Sequence, residues 1–95
     1  MEYVLRLVRP AYFRLRRGQT LDLAARTFSL PPRVLAAANA LDREPEEGQV
    51  LFLPAGGNLY RVRGGETKKL LSGSDRSFEE KNYTKRLYPL QEVLL

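Results

Sequence analysis

The chain has 95 residues, no cysteine, no histidine and a net charge of +5. That length suits one domain or two very small ones. Disulfide stapling is excluded, the usual zinc ligands are missing, and no Ser-His-Asp or Cys-His nucleophile can be assembled. The chain is therefore expected to be neither an enzyme nor a metal or cofactor protein. Glu44, Glu46 and Glu47 are the nearest approach to paired catalytic carboxylates. They read as a solvated acidic loop, because a catalytic pair needs a cleft that fixes its separation.

Residues 3–8 alternate, with Tyr3, Leu5 and Leu7 on one face and Val4, Arg6 and Val8 on the other. This predicts a strand that Pro10 either ends or places at a sheet edge. No leading basic region precedes it, and no apolar run is long enough to span a membrane. The expectation is cytoplasmic synthesis, with later association to a cell wall, spore or phage-like particle. Residues 13–16 form the next predicted strand, with Phe13 and Leu15 on one face and Arg14 and Arg16 on the other. Gly18 allows a sharp exit, and Thr20 is placed to cap a helix over 21–28. Leu21, Ala24, Ala25 and Phe28 give that helix one apolar face. Pro31 and Pro32 stop it and open a second helix to about Asn39, which buries Leu35 and Ala38. A polar loop over 42–48 leads to a strand over 50–53, closed by Pro54.

The pattern then recurs. Tyr60-Arg61-Val62-Arg63-Gly64-Gly65-Glu66-Thr67 repeats the stretch from Phe13 to Thr20, and Thr67 stands 47 residues after Thr20 (67 − 20). Asn82 stands 43 residues after Asn39 (82 − 39), so the second copy has lost four residues, about one helical turn. The loss is placed between Leu71 and Ser77. A short helix is expected over 67–71, and a capping box at Ser77-Phe78-Glu79-Glu80 is read as opening the next one. Leu87 to Leu95 mirrors the segment from Pro45 to Leu53. Each copy is strand–helix–helix–strand. The expected boundaries are an extension over 1–11, copy one over 12–54, a tight connection over 55–58 and copy two over 59–95.

These residues resemble the LysM domain family. In copy one the matching positions are Phe13, Leu15, Gly18, Thr20, Leu21, Ala24, Leu35, Asn39, Leu41, Gly48, Gln49, Leu51 and Pro54. In copy two they are Tyr60, Val62, Gly65, Thr67, Leu70, Asn82, Leu87, Tyr88, Pro89, Gln91 and Val93. The resemblance implies an α+β fold of tandem βααβ units, each a two-stranded antiparallel sheet on a helix pair. It also implies non-catalytic binding of glycans containing N-acetylglucosamine, either bacterial peptidoglycan or chito-oligosaccharide. By position, the sugar groove of copy one would have Gln19, Thr20, Leu21 and Asp22 on one wall and Ala40, Leu41, Asp42 and Arg43 on the other. Its counterpart in copy two would comprise Glu66, Thr67, Lys68 and Lys69 facing Tyr83, Thr84, Lys85 and Arg86. Copy two departs from the family by carrying Lys68 where Leu21 stands and Leu90 where the second glycine stands.

A neutral amino sugar suits such a groove, since backbone amides can bond its acetamide and Leu21 and Leu41 can meet its methyl group and ring face. The plainer reading of Gly18, Thr20 and Asn39 is structural: a turn, a helix cap and a helix end. Phe13, Phe28, Phe52 and Phe78 are expected in the core, while Tyr83 and Tyr88 suit either sugar stacking or the contact between copies. Lys68, Lys69, Tyr83, Lys85 and Arg86 make a second candidate surface for an acidic polymer or an acidic assembly protein. The resemblance also implies an alternative, because short LysM proteins resemble parts of spore coats and phage-tail-like assemblies: a protein adaptor in such an assembly. Nucleic acid ranks last, because no aromatic-basic platform or recognition helix is evident. A membrane partner is not expected.

Overall fold

The computed structural model describes residues 10–95. The strand expected over 3–8 lies outside the described residues. Eight elements follow in order: β1 (Tyr12–Arg14), α1 (Leu21–Thr27), α2 (Pro32–Ala38), β2 (Val50–Phe52), β3 (Leu59–Arg61), α3 (Lys68–Ser72), α4 (Asp75–Asn82) and β4 (Glu92–Leu94). They make two βααβ units, each with its own two-stranded antiparallel sheet, β1 with β2 and β3 with β4. The fold is α+β, as the repeat and the resemblance imply.

Local sequence explains the helices. Thr20 Oγ accepts the Leu23 N–H at 3.1 Å, and Thr67 Oγ accepts the Leu70 N–H at 3.2 Å, so both threonines are N-caps. Pro32 occupies the first turn of α2, where its missing N–H costs nothing. The fourth helix starts earlier than the sequence suggests. Its cap is Ser74, whose Oγ accepts the Ser77 N–H at 3.0 Å, so the box expected at Ser77 lies inside the helix. The four-residue loss is divided. Helix α3 has five residues against seven in α1, and Gly73, in left-handed geometry (φ 82°), shortens the link to α4.

Strand register decides which residues face inward. Phe13 pairs with Leu51, and Tyr60 pairs with Val93. Leu51 is fully buried, while its neighbour Phe52 is 38% exposed and meets Tyr12 edge-on at 5.8 Å on the outer face. Phe52 is therefore not a core residue, contrary to the expectation from its type, because successive strand residues point to opposite faces. Phe13 and Phe28 pack against the first core and against each other at 5.2 Å, and Phe78 is fully buried in the second.

The two cores are unequal. Leu15, Ala24, Ala25, Leu30, Val34, Leu35, Leu51 and Leu53 fill the first, whereas the second has Val62, Phe78 and Val93 at its centre. Alternation along β4 joins them: Val93 points into the second core and Leu94 into the first. The connection between units lies flat on this strand. A side chain at Gly57 would meet the Leu95 carbonyl oxygen at 2.7 Å, and the Leu95 N–H donates to Asn58 O at 2.9 Å. Glycine is required there by close approach of two backbones.

One side chain in each unit ties helix to strand. Asn39 Nδ2 donates to Leu35 O (2.9 Å) and Phe52 O (2.8 Å), while its Oδ1 accepts the Phe52 N–H at 2.6 Å. Asn82 does the same with Phe78 O (3.2 Å), Leu94 O (3.0 Å) and the Leu94 N–H (2.6 Å). Asn82 is 2% exposed, so alanine there would leave the Leu94 backbone groups unpaired away from water. The expected cost is about 2–4 kcal/mol. Asn39 is only half-buried and Phe52 is exposed, so water can replace the lost amide and Asn39→Ala should cost less. Urea denaturation of both variants checks this; equal losses, or a smaller loss at Asn82, would contradict it.

Candidate functional site

The two loops that the resemblance assigns to sugar come together in the first unit. Leu21 at the start of α1 and Leu41 after α2 are both half-buried and pack against the first core. Leu41 is held by its N–H donating to Ala36 O at 3.0 Å, after Ala40 turns the chain with φ 51°. Between the walls lies a direct bond: the Leu21 N–H donates to Glu44 Oε1 at 2.6 Å. By sequence alone Glu44 belongs to a solvated acidic loop. Its carboxylate straps the α2–β2 loop to the first turn of α1.

The remaining side chains at these positions are largely engaged locally. Gln19 Oε1 accepts the Arg16 N–H at 2.7 Å, and Thr20 is the helix cap. Asp22 forms an i,i+4 ion pair with Arg26 at 2.8 Å, which raises the arginine's already high pKa through that hydrogen bond. Asp42 and Arg43 are exposed neighbours 3.5 Å apart. What the first groove offers a ligand is thus two half-exposed leucines and backbone groups, with the Leu21 amide already matched to a carboxylate.

The second unit builds the same frame with different chemistry. Gln49 and Gln91 each close the turn before the last strand, accepting from the Glu46 and Tyr88 N–H groups at 3.1 and 3.0 Å. Counting back from these glutamines, Arg86 stands where Glu44 does, at the same separation of 42 residues (91 − 49 and 86 − 44). No carboxylate strap can form there. Gly48 has φ 85° and its counterpart Leu90 has φ 69°, with both N–H groups donating to the preceding strand, at Leu15 O and Val62 O. Leu90 thus adopts the left-handed geometry that Gly48 takes without steric cost, and it leaves its side chain 75% exposed.

The charged residues of the second candidate surface do not act together. Lys68 pairs with Glu79 at 3.4 Å between α3 and α4, and both side chains are largely covered. Lys69 and Lys85 are exposed. Tyr83 ends α4 in left-handed geometry (φ 54°) and is exposed, next to an open surface carrying Asp75, Glu79 and Glu80 as well as Arg76 and Lys85. Arg86 faces a different concavity, against the first unit. Arg33 of α2, a residue that sequence reasoning did not single out, lines the same concavity. The Arg33 guanidinium lies 5.4 Å from the centre of the Tyr88 ring and donates to the Tyr88 hydroxyl. Tyr88 is therefore a contact between copies, one of the two roles its type suggested. No local signal could have found Arg33, because its significance comes from the packing of one unit on the other.

Comparisons with known proteins add little. No family model matches the chain, and no curated protein matches it. Among solved structures, the spore cortex-lytic enzyme SleL of Bacillus megaterium QM B1551 is similar, with a TM-score of 0.44 and 22% identity over 88% of this chain. The chain spans 22% of that protein's length. A likeness of that size bears on neither site nor activity. Among the described residues, no group of three or more His, Cys, Asp or Glu could hold a metal ion, and no helix is long and apolar enough to cross a membrane.

Glu66 carries a pH-dependent contact. Its carboxylate accepts from the Tyr60 hydroxyl at 2.7 and 2.8 Å and from the Arg63 N–H at 2.6 Å. The Tyr60 bond first, and the Arg63 amide second, hold its pKa below the ordinary 4.5. A lowered carboxylate pKa stabilises the fold above the unfolded-state value and loses that effect as pH falls through the folded-state value. Glu66→Gln should therefore lower Tm at pH 7 and by less at pH 3, read by thermal melts at both. An equal decrease at both pH values would show that the charged form contributes nothing.

Proposed function

We propose that the chain is a non-catalytic carbohydrate-binding module of LysM type that takes N-acetylglucosamine-containing glycans, bacterial peptidoglycan above all, in the groove of its first unit. The observation that carries this reading is the strap: the Leu21 amide, beside two half-exposed leucines, already holds an oxygen from the opposite wall. An acetamide carbonyl offers a similar oxygen together with a methyl group for Leu21 and Leu41. On this reading Glu44 is displaced when sugar binds, and the protein acts at the cell wall or spore surface.

The same bond favours a second reading. A groove closed by its own carboxylate suits a protein adaptor that keeps the βααβ frame and has given up sugar. Glu44→Ala separates the two. The Leu21 amide is exposed, so water replaces the lost carboxylate at a cost of roughly 1 kcal/mol or less.

The experiment is retention on purified peptidoglycan and on chitin, with and without soluble chito-oligosaccharide. The glycan reading expects retention that the oligosaccharide competes away, and several-fold tighter binding by Glu44→Ala, since about 1.4 kcal/mol of released competition is tenfold in affinity. Leu41→Ala should weaken binding. Leu41→Asp is a poorer probe, because Leu41 packs on the core and an aspartate there would also cost stability. No competed retention by either the natural protein or Glu44→Ala would leave the adaptor reading.

A further inference from the structure

The concavity between the units is built from both of them. Its deeper part, about 300 Å3, is bounded by Arg33 and Ala37 of α2 and by Tyr83, Arg86 and Tyr88 of the second unit. A second hollow of about 360 Å3 lies on the other side of the Arg33–Tyr88 contact, against Pro32 and Leu90. The two hollows share Arg33, Tyr88, Gln91 and Glu92 in their linings, so they adjoin at that contact.

The backbone that carries Arg86 is fixed on both sides of its side chain. The Arg86 N–H donates to Thr84 Oγ1 at 3.1 Å, and the Arg86 carbonyl accepts from Gln91 Nε2 at 3.1 Å. Gln91 is 6% exposed, and its Oε1 also fixes the Tyr88 N–H at 3.0 Å. One buried amide therefore positions both Arg86 and Tyr88. The Arg86 guanidinium has no carboxylate within ion-pair reach among the described residues. Arg33 gives one donor to the Tyr88 hydroxyl, and its other guanidinium N–H groups have no acceptor among the described residues. Among the described residues, Glu92 is the single acid on the lining, against two arginines.

We propose that this inter-unit groove docks an extended acidic segment of a partner protein, in which a carboxylate is received by Arg33 and Arg86 and a flanking aliphatic side chain rests on Pro32 and Leu90. Guanidinium forks bind planar carboxylates bidentately, and stacking over the Tyr88 ring orients the Arg33 fork. Leu90, exposed and held in left-handed geometry, supplies the apolar end. The groove is separate from the sugar-type groove of the first unit, so this proposal stands or falls independently of glycan binding.

The test is fluorescence anisotropy with the full chain and a labelled peptide of alternating glutamate and leucine, set against the same peptide with glutamine. The glutamate peptide should bind saturably at low salt and weaken as salt rises. The glutamine version should bind about tenfold or more weakly, as expected for lost charge-assisted bonds. Arg86→Ala, which removes a guanidinium with no ion-pair partner among the described residues, should weaken the glutamate peptide by a similar factor; Arg33→Lys should have a smaller effect and Glu92→Gln should tighten binding. Thermal melts accompany each variant. Equal binding of the two peptides, or full affinity in a folded Arg86→Ala variant, overturns the proposal. So does a soluble peptidoglycan stem-peptide fragment that displaces the probe below the probe peptide's own Kd, which would make the occupant a cell-wall peptide instead.

Discussion

Helices of five to eight residues cannot stand alone in water, and two-stranded sheets are no better. The structure depends on a bond that joins one to the other. In each unit an asparagine at the end of the second helix reaches the last strand and pairs with both backbone groups of one strand residue. A third bond returns to the helix carbonyl four residues back. Asparagine is suited to this because a short side chain carries both donor and acceptor. Everything downstream is set from it: the strand's register, the inward turn of Leu51 and Val93, and the position of the loop between helix and strand.

That loop is where the two units diverge. Both close it with a glutamine turn, but the first sends Glu44 across to the Leu21 amide while the second has Arg86 in the same place. A single change of charge sign at one loop position thus alters what each unit presents. The first unit is internally satisfied at its groove. The second has a guanidinium, that of Arg86, with no ion-pair partner among the described residues, on the lining of a hollow shared with the first unit. The smaller second core explains why that neighbour is needed. Leu94 inserts into the first core, and Gly57 lets the connection lie flat on the last strand.

Much of this was legible in the chain. The repeat, the threonine caps, the Pro32 helix start and the inward faces of Phe13 and Leu15 follow from short-range chemistry that each residue carries with it. The errors were also local in origin. Ser77 followed by two glutamates makes a plausible capping box, but Ser74 lies three residues ahead and caps first. Phe52 has the composition of a core residue, and only the pairing of β1 with β2 showed that it faces out.

By itself, then, the sequence determined the βααβ order, the number of units and the residues that cap and turn each element, because caps, turns and periodicity act over a few residues. Tertiary structure alone decided which polar side chains are already in use. Glu44 and Leu21 are 23 residues apart, and Arg33 and Tyr88 are 55 apart. Whether such groups meet depends on how helices and strands pack in three dimensions, and no spacing in the chain records it. Lys68, Lys85 and Arg86 look alike as charges in sequence, yet one is paired, one lies beside an acidic surface and one faces the inter-unit groove. Charge in a sequence is a count; its availability to a partner is a property of the fold.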